Sequence, residues 1–194
     1  DGQRLYVYFG NVGVFCYTLE GSPLWSKRLK PHKTRYDWGT ASSPVLHEDR
    51  LYLVNDNDED SYLLALDAKT GELIRPFGDN GKVLLTDGFP NEVTREEFDQ
   101  TSPPVVFEEL VIVGSRVPDR VQHRFDTPGS VQAFDTNTGE RRWVFYTIPQ
   151  SIDDFGADTW EDGSWRFTGH ANVWGLMSLD ADRGLLYIPT STPS

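Results

Sequence analysis

The protein has 194 residues, and with 38% hydrophobic and 13% aromatic residues it carries enough apolar surface to build a core. Its formal net charge of −12 repels phosphate backbones, so we expect no nucleic-acid partner. No stretch approaches the roughly 18 consecutive apolar residues of a membrane helix, so we expect no transmembrane segment. The chain begins at Asp1 without an initiator Met, which we interpret as a mature or excised piece. The single cysteine, Cys16, allows no internal disulfide and is expected to be buried.

Short apolar runs recur along the chain. Each is rich in aromatic or β-branched residues and is bounded by turn formers, which is typical of strands. In chain order, the runs are residues 5–9, 51–54, 110–113 and 185–188. No segment shows a helical period over 11 or more residues, and only residues 92–98 are compatible with a short helical turn. The pattern therefore predicts an all-β chain.

A second strand and a tight turn follow the earlier runs. The turn reads Asp-x-x-Thr-Gly at residues 67–71 and 135–139, where Gly supplies a positive φ and Asp accepts hydrogen bonds from turn amides. Strand, turn and strand together form an antiparallel meander, the layout of one propeller blade. At roughly 40–50 residues per blade, the chain holds about four, and the fourth stops after its second strand. We therefore predict a partial β-propeller of four-stranded antiparallel meanders, an incomplete ring that forms one domain over residues 1–194.

Three long insertions are predicted at residues 76–100, 117–129 and 147–171, and loops of that length are usually functional or disordered. Acidic residues alternate at 56–60, as in a calcium-binding EF-hand loop. However, Ser61 replaces the required Gly, and Asp67 stands where the loop needs a Glu. We therefore expect a solvated hairpin loop at residues 56–60.

The repeat carries a family resemblance. Residues 133–143 fit the A-x-D-x-x-T-G-x-x-x-W motif of the quinoprotein propellers, in which the Trp docks one blade on the next. Residues 65–75 fit it too, except that Arg75 stands at the Trp position. From residue 73 to 194 the chain resembles sugar, polyol and alcohol dehydrogenases that depend on pyrroloquinoline quinone (PQQ). The motifs that carry this likeness are residues 101–106, 111–115, 159–165, 172–175 and 186–190. Residues 1–72 instead resemble generic PQQ-like repeat proteins that are not known dehydrogenases.

The dehydrogenase resemblance implies a site for PQQ, a planar tricarboxylate, and for Ca²⁺, which polarises the reactive carbonyl of the cofactor. It places Trp174 under the quinone ring and Thr101 against the cofactor. Arg116, which lies near the position of Asp119, is expected either to pair with a PQQ carboxylate or to offset local acidity. The resemblance also assigns Asp119 and Thr192 as metal ligands. Simpler interpretations stay open: a Trp in a strand is normally a core residue, Thr101 caps a turn, and a loop carboxylate such as Asp119 is usually solvated.

The family's catalytic Asp removes the alcohol proton as hydride passes to PQQ, but it lies in blades beyond the fourth. No catalytic residue is therefore assigned here. The resemblance further implies an alcohol or sugar substrate, a quinone or cytochrome electron acceptor, and a periplasmic or secreted location. The leading hypothesis is part of a PQQ- and calcium-dependent dehydrogenase that is incomplete for catalysis. The alternative is a cofactor-free propeller acting as a scaffold or binding module.

Overall fold

The computed structural model describes residues 1–40, 42–90, 93–118, 120 and 123–192. Four antiparallel sheets follow one another in chain order, and the described residues form no closed ring. The first sheet contains β1 (Arg4–Phe9), β2 (Gly13–Thr18) and β3 (Pro23–Arg28), and the second β4 (Val45–His47), β5 (Arg50–Asp56), β6 (Ser61–Asp67) and β7 (Lys82–Leu84). The third contains β8 (Val105–Phe107), β9 (Leu110–Gly114), β10 (Ser130–Asp135) and β11 (Arg141–Tyr146), and the fourth β12 (Ser178–Asp180) and β13 (Leu185–Tyr187). The predicted all-β partial propeller is confirmed.

Helical structure is confined to short 3₁₀ helices in the described ranges. They are Arg35–Asp37, Arg95–Glu97, Ala157–Thr159 and Glu161–Arg166. The second lies within the helical turn predicted at residues 92–98, and the last two lie within the insertion predicted at 147–171. None of the helices in the described ranges is long and apolar enough to cross a membrane.

The core consists of the layers between consecutive sheets. β5 and β6 are buried on both faces because the second sheet lies between the first and the third, so Leu51–Val54 form a continuous buried run. Tyr52 and Phe77 pack toward the third sheet, while Leu51 and Leu64 pack toward the first. Cys16 is buried and free, as predicted.

Each Asp-x-x-Thr-Gly turn docks against the preceding sheet, and its Gly is required there. Gly71 has a φ of +73°, and a Cβ added to it would lie 2.5 Å from the ring of Trp25. The indole Nε1 of Trp25 also donates a hydrogen bond to the Ala68 carbonyl at 3.1 Å. Trp25 thus docks the first sheet on the second, in the manner implied by the repeat.

The second sheet docks on the third without a Trp. A Cβ at Gly139 would lie 2.7 Å from Val83 Cγ2, and the Gly78 amide donates to the Thr138 carbonyl at 2.7 Å. The sequence pattern placed the outer strand of this blade before residue 76 and an insertion at 76–100. The predicted boundary at residue 76 is wrong, because the outer strand is β7, which lies inside the predicted insertion. Before residue 76, Leu73 makes only an isolated bridge to Leu66. Gly78 and Val83 thus supply the docking contact that a Trp at position 75 would make in the repeat.

The turn carboxylate gives a stability prediction. Asp135 Oδ1 accepts hydrogen bonds from the amides of Asn137 and Thr138, both at 2.9 Å, and these bonds, that of Thr138 first, lower the pKa of Asp135. Asp135→Ala is expected to lower the free energy of unfolding by about 1–2 kcal/mol. For a chain of this size, this corresponds to a loss in Tm of about 2–8 °C. Because the pKa is lowered, this stabilisation is present above about pH 4 and is lost as the pH falls further.

Asp182→Ala is the control, since Asp182 is an exposed acid in the turn between β12 and β13. It should change the free energy of unfolding by less than about 0.5 kcal/mol. Equal losses for the two variants at pH 7 in thermal unfolding would contradict the proposed role of Asp135.

Candidate functional site

A cleft of about 490 Å³ lies where the chain passes between its sheets. It is lined by residues from the connection between the first two sheets, the β5–β6 hairpin, the connections that precede and follow the third sheet, and the β9–β10 connection within it. They are Thr34, Arg35, Tyr36, Trp38, Gly39, Thr40, Asp56, Asn57, Asp58, Asp99, Gln100, Thr101, Arg116 and Trp174. Thr101, Arg116 and Trp174, which sequence analysis predicted as cofactor-binding residues at separate positions, therefore line one cleft.

Trp174 presents its ring to the cleft from a fixed backbone. Its side chain is 55% exposed, so it is not a core residue. The preceding Val173 is buried, and its amide donates to the Ser115 carbonyl at 2.8 Å. The hydroxyl of Ser102 donates to the carbonyl of Trp174 itself. Because these contacts involve the backbone, the indole face remains available for stacking on a planar ligand.

Arg116 belongs to an ion-pair network that also includes Arg35. The Asp99 carboxylate oxygen Oδ2 lies 2.7 Å from Arg116 Nη1 and 3.2 Å from Arg35 Nη1. The backbones of Asp99 and Arg116 pair in both directions, with N···O distances of 3.1 and 2.8 Å. One carboxylate therefore holds two guanidinium groups at the cleft. Since a guanidinium has five N–H donors, both retain donors for an anionic ligand.

Asp56 is a mostly buried acid that sequence analysis assigned to a solvated loop. Burial raises its pKa to about 6, even though Arg95 Nη2 lies 3.2 Å from its Oδ1. The prediction of a solvated loop at 56–60 is wrong for Asp56 and Asn57, although the hairpin forms. Asn57 is buried and Asp56 is mostly buried, because β5 runs through Asp56 and carries both side chains into the cleft wall.

Gln100 lies between Asp99 and Thr101 in the wall of the cleft. Its side chain is 3% exposed, and neither its Nε2 nor its Oε1 has a hydrogen-bond partner within the described parts of the chain. An unpaired buried amide is unfavourable, and native structures rarely contain one without a further partner. The cleft therefore has an unsatisfied donor and acceptor in addition to its aromatic and cationic groups.

An aromatic pair in the cleft lining was also missed by sequence reasoning. Tyr36 and Trp38 are 71% and 81% exposed, with ring centroids 5.0 Å apart. Their loop is held by Thr34, whose hydroxyl accepts a hydrogen bond from the Gly39 amide at 2.8 Å. Tyr36 adopts a φ of +55°, an uncommon conformation that is concentrated at functional sites. This loop lies in residues 1–72, which resemble generic repeat proteins, so the sequence offered no reason to place it at a cofactor site. Its position in the cleft lining is known only from the structure.

The two predicted metal ligands stand apart from this group. Asp119 lies outside the described residues. Thr192 is exposed and is not among the cleft-lining residues. Its neighbour Ser191 donates its amide to the Asn172 carbonyl at 3.1 Å, which brings the end of the chain close to the Trp174 segment. Within the described ranges, no group of three or more His, Cys, Asp or Glu side chains is arranged to hold a metal ion.

The sequence profile described as "PQQ: Glucose/ethanol/alcohol dehydrogenase, beta-propeller domain" matches residues 24–194. The chain belongs to this family. The match begins in the first sheet, so it includes the loop that carries Tyr36 and Trp38.

Individual relatives agree with the PQQ family assignment. A quinoprotein glucose dehydrogenase of Gluconobacter oxydans (strain 621H) is 33% identical over 135 residues, which cover 67% of this chain and 16% of the relative. A quinate/shikimate dehydrogenase (quinone) of Acinetobacter baylyi is 32% identical over 139 residues, covering 71% of this chain and 16% of the relative. The structure of quinohemoprotein alcohol dehydrogenase ADHIIG of Pseudomonas putida HK5 superposes with a TM-score of 0.73 at 20% identity, which shows a shared fold over 100% of this chain and 28% of that one. The matched part of the chain thus spans about one sixth of the length of these curated relatives.

Proposed function

We propose that this chain forms the PQQ-binding part of a quinoprotein dehydrogenase that oxidises alcohols or sugars. The observation that carries the proposal is the convergence of Thr101, Arg116 and Trp174 on one cleft. The chemistry of the cleft supports it, since a planar tricarboxylate needs an aromatic face, cationic donors and hydroxyl donors. Trp174 offers the face, Arg116 and Arg35 the cations, and Thr101 the hydroxyl. When bound, PQQ supplies the two-electron acceptor for oxidation of the substrate.

Calcium is part of the proposal, and the charge of the cleft supports a further cation. Three acids (Asp56, Asp58 and Asp99) line the cleft against two guanidinium groups (Arg35 and Arg116). An anionic tricarboxylate in such a site is stabilised by an additional positive charge. Asp119 and Thr192 are proposed as the ligands of Ca²⁺ by resemblance alone, because the described residues hold no metal cluster.

The remaining steps of the reaction are assigned to parts of the protein beyond these four sheets. We assign no catalytic residue here, since the family's proton-abstracting Asp belongs to later blades. The residues of this chain bind and orient the cofactor and exclude water from one of its faces. We further propose that the protein passes electrons to a quinone or a cytochrome. Its proposed location is periplasmic or secreted.

Thermal unfolding with ligand tests the proposal directly. A ligand at about 100 times its Kd raises the free energy of unfolding by about 2.7 kcal/mol. For a chain of this size we therefore expect PQQ with Ca²⁺ to raise Tm by about 5–10 °C. Benzene-1,3,5-tricarboxylate is the control ligand, and it should give a much smaller shift because it carries the charges without the fused ring system. The alternative, a cofactor-free scaffold or binding module, requires that saturating PQQ with Ca²⁺ leaves Tm unchanged.

A further inference from the structure

Two buried glutamines differ in whether their amides are paired. Gln132 is 1% exposed; its Nε2 donates to the Leu85 carbonyl at 2.9 Å, and its Oε1 accepts from Arg141 Nη1 at 3.3 Å. Gln100 is 3% exposed, and both of its amide atoms are without a partner within the residues the structure describes. Burial of an unpaired amide destabilises the folded state, so Gln100 carries a cost that Gln132 does not.

The backbone around Gln100 is fixed by its neighbours. Asp99 pairs with Arg116 through both backbone groups, and Thr101 follows directly in the cleft lining. The side chain of Gln100 is unbranched and rotates about three single bonds, so its amide can turn from beneath the surface into the cleft. A donor and an acceptor are thus available at the edge where Arg116 and Thr101 meet.

We propose that Gln100 is a ligand-binding residue of this cleft, a role that the family resemblance does not assign to it. The inference rests on the proposed function, because PQQ carries a carboxylate beside a pyrrole N–H and so presents an acceptor next to a donor. Gln100 Nε2 donates to the carboxylate, and Oε1 accepts from the ring N–H. The amide is unpaired in the free protein because its partners are on the ligand.

Gln100→Leu separates this role from a structural one. Leu has a similar volume without polar atoms, so the unliganded variant no longer buries an unpaired amide and its Tm is expected to rise by about 2–4 °C. The same variant should bind PQQ about tenfold more weakly, because a hydrogen bond to a charged group is lost. A gain in stability together with a loss in affinity is the signature of a site kept for binding.

Gln132→Leu is the matched control, since it leaves the Leu85 carbonyl and a guanidinium donor of Arg141 without their partner. It should lower Tm and leave the Kd for PQQ unchanged. A second measurement follows the side-chain amide signals of the ¹⁵N-labelled protein, with the Gln100 signal identified by its absence from Gln100→Leu. Addition of PQQ with Ca²⁺ should shift the Gln100 signal and leave that of Gln132 in place.

The outcomes distinguish this inference from the proposed function. If the unsubstituted protein binds PQQ and Gln100→Leu binds it equally well, the role of Gln100 is overturned and the proposed function stands. A Tm lowered by Gln100→Leu, with a Gln100 signal that does not move on ligand addition, also overturns it and assigns the amide to the fold. Absence of PQQ binding by the unsubstituted protein overturns both.

Discussion

Trp174→Ala is expected to weaken PQQ binding by about 10- to 100-fold, since stacking of a planar ring on an aromatic side chain contributes about 1–3 kcal/mol. The ring is 55% exposed at the cleft and packs little of its surface into the core. The contacts that hold this segment, from Val173 to Ser115 at 2.8 Å and from Ser102 to the Trp174 carbonyl, involve the backbone and persist in the variant. The loss therefore reports stacking. Titration of the purified variant with PQQ, followed by quenching of tryptophan fluorescence, gives the Kd.

Trp143→Ala serves as the control for this measurement. Trp143 lies on β11, is 39% exposed and is not among the residues that line the cleft. Its removal is expected to alter Tm and to leave the Kd for PQQ unchanged. Equal affinities for Trp174→Ala and the unsubstituted protein would remove Trp174 from the cofactor site. A comparable loss with Trp143→Ala would show instead that affinity follows overall stability.

Asp56→Asn is expected to make the protein more stable at neutral pH and to flatten the dependence of its stability on pH. Burial raises the pKa of this carboxyl from 3.8 to about 6 in the folded protein. The folded state then binds the proton more tightly than the unfolded state, so ionisation destabilises the fold. The contribution of Asp56 to the free energy of unfolding is largest below about pH 4 and falls as the pH rises to about 6, by about 3 kcal/mol in all. Asn imitates the protonated carboxyl and removes this loss.

The measurement is the free energy of unfolding in urea at pH 4.5, 6 and 8 for the unsubstituted protein and the variant. The variant should gain about 1 kcal/mol at pH 4.5 and about 3 kcal/mol at pH 8. Asp58→Asn is the control, because Asp58 is an exposed acid two residues away in the same hairpin, and its gain should stay near zero at each pH. A pH-independent difference for Asp56→Asn would contradict the raised pKa. A variant that is less stable at pH 8 would show that the charge pair with Arg95 outweighs burial.

Local features of this chain could be predicted from the sequence because they depend on residues that are near neighbours. The strand pattern and the Asp-x-x-Thr-Gly turns at residues 67–71 and 135–139 are of this kind, since alternation and turn chemistry act over a few residues. The outer strand of the second sheet was misplaced because its position follows from docking on Gly139, a contact between distant residues. The likeness to a family supplied Thr101 and Trp174, and the position of Arg116 near Asp119 suggested a third residue, but as separate positions.

By itself, therefore, the sequence determined that this protein is a row of antiparallel blades, and the family resemblance predicted which motifs would hold a cofactor. Only the tertiary structure decided that those motifs share a cleft with Asp56, Gln100 and the Tyr36–Trp38 pair. The reason is physical: burial raised the pKa of Asp56 and left the Gln100 amide without a partner within the described residues. Burial arises from the packing of segments far apart in the chain, and no pattern within a single segment records it.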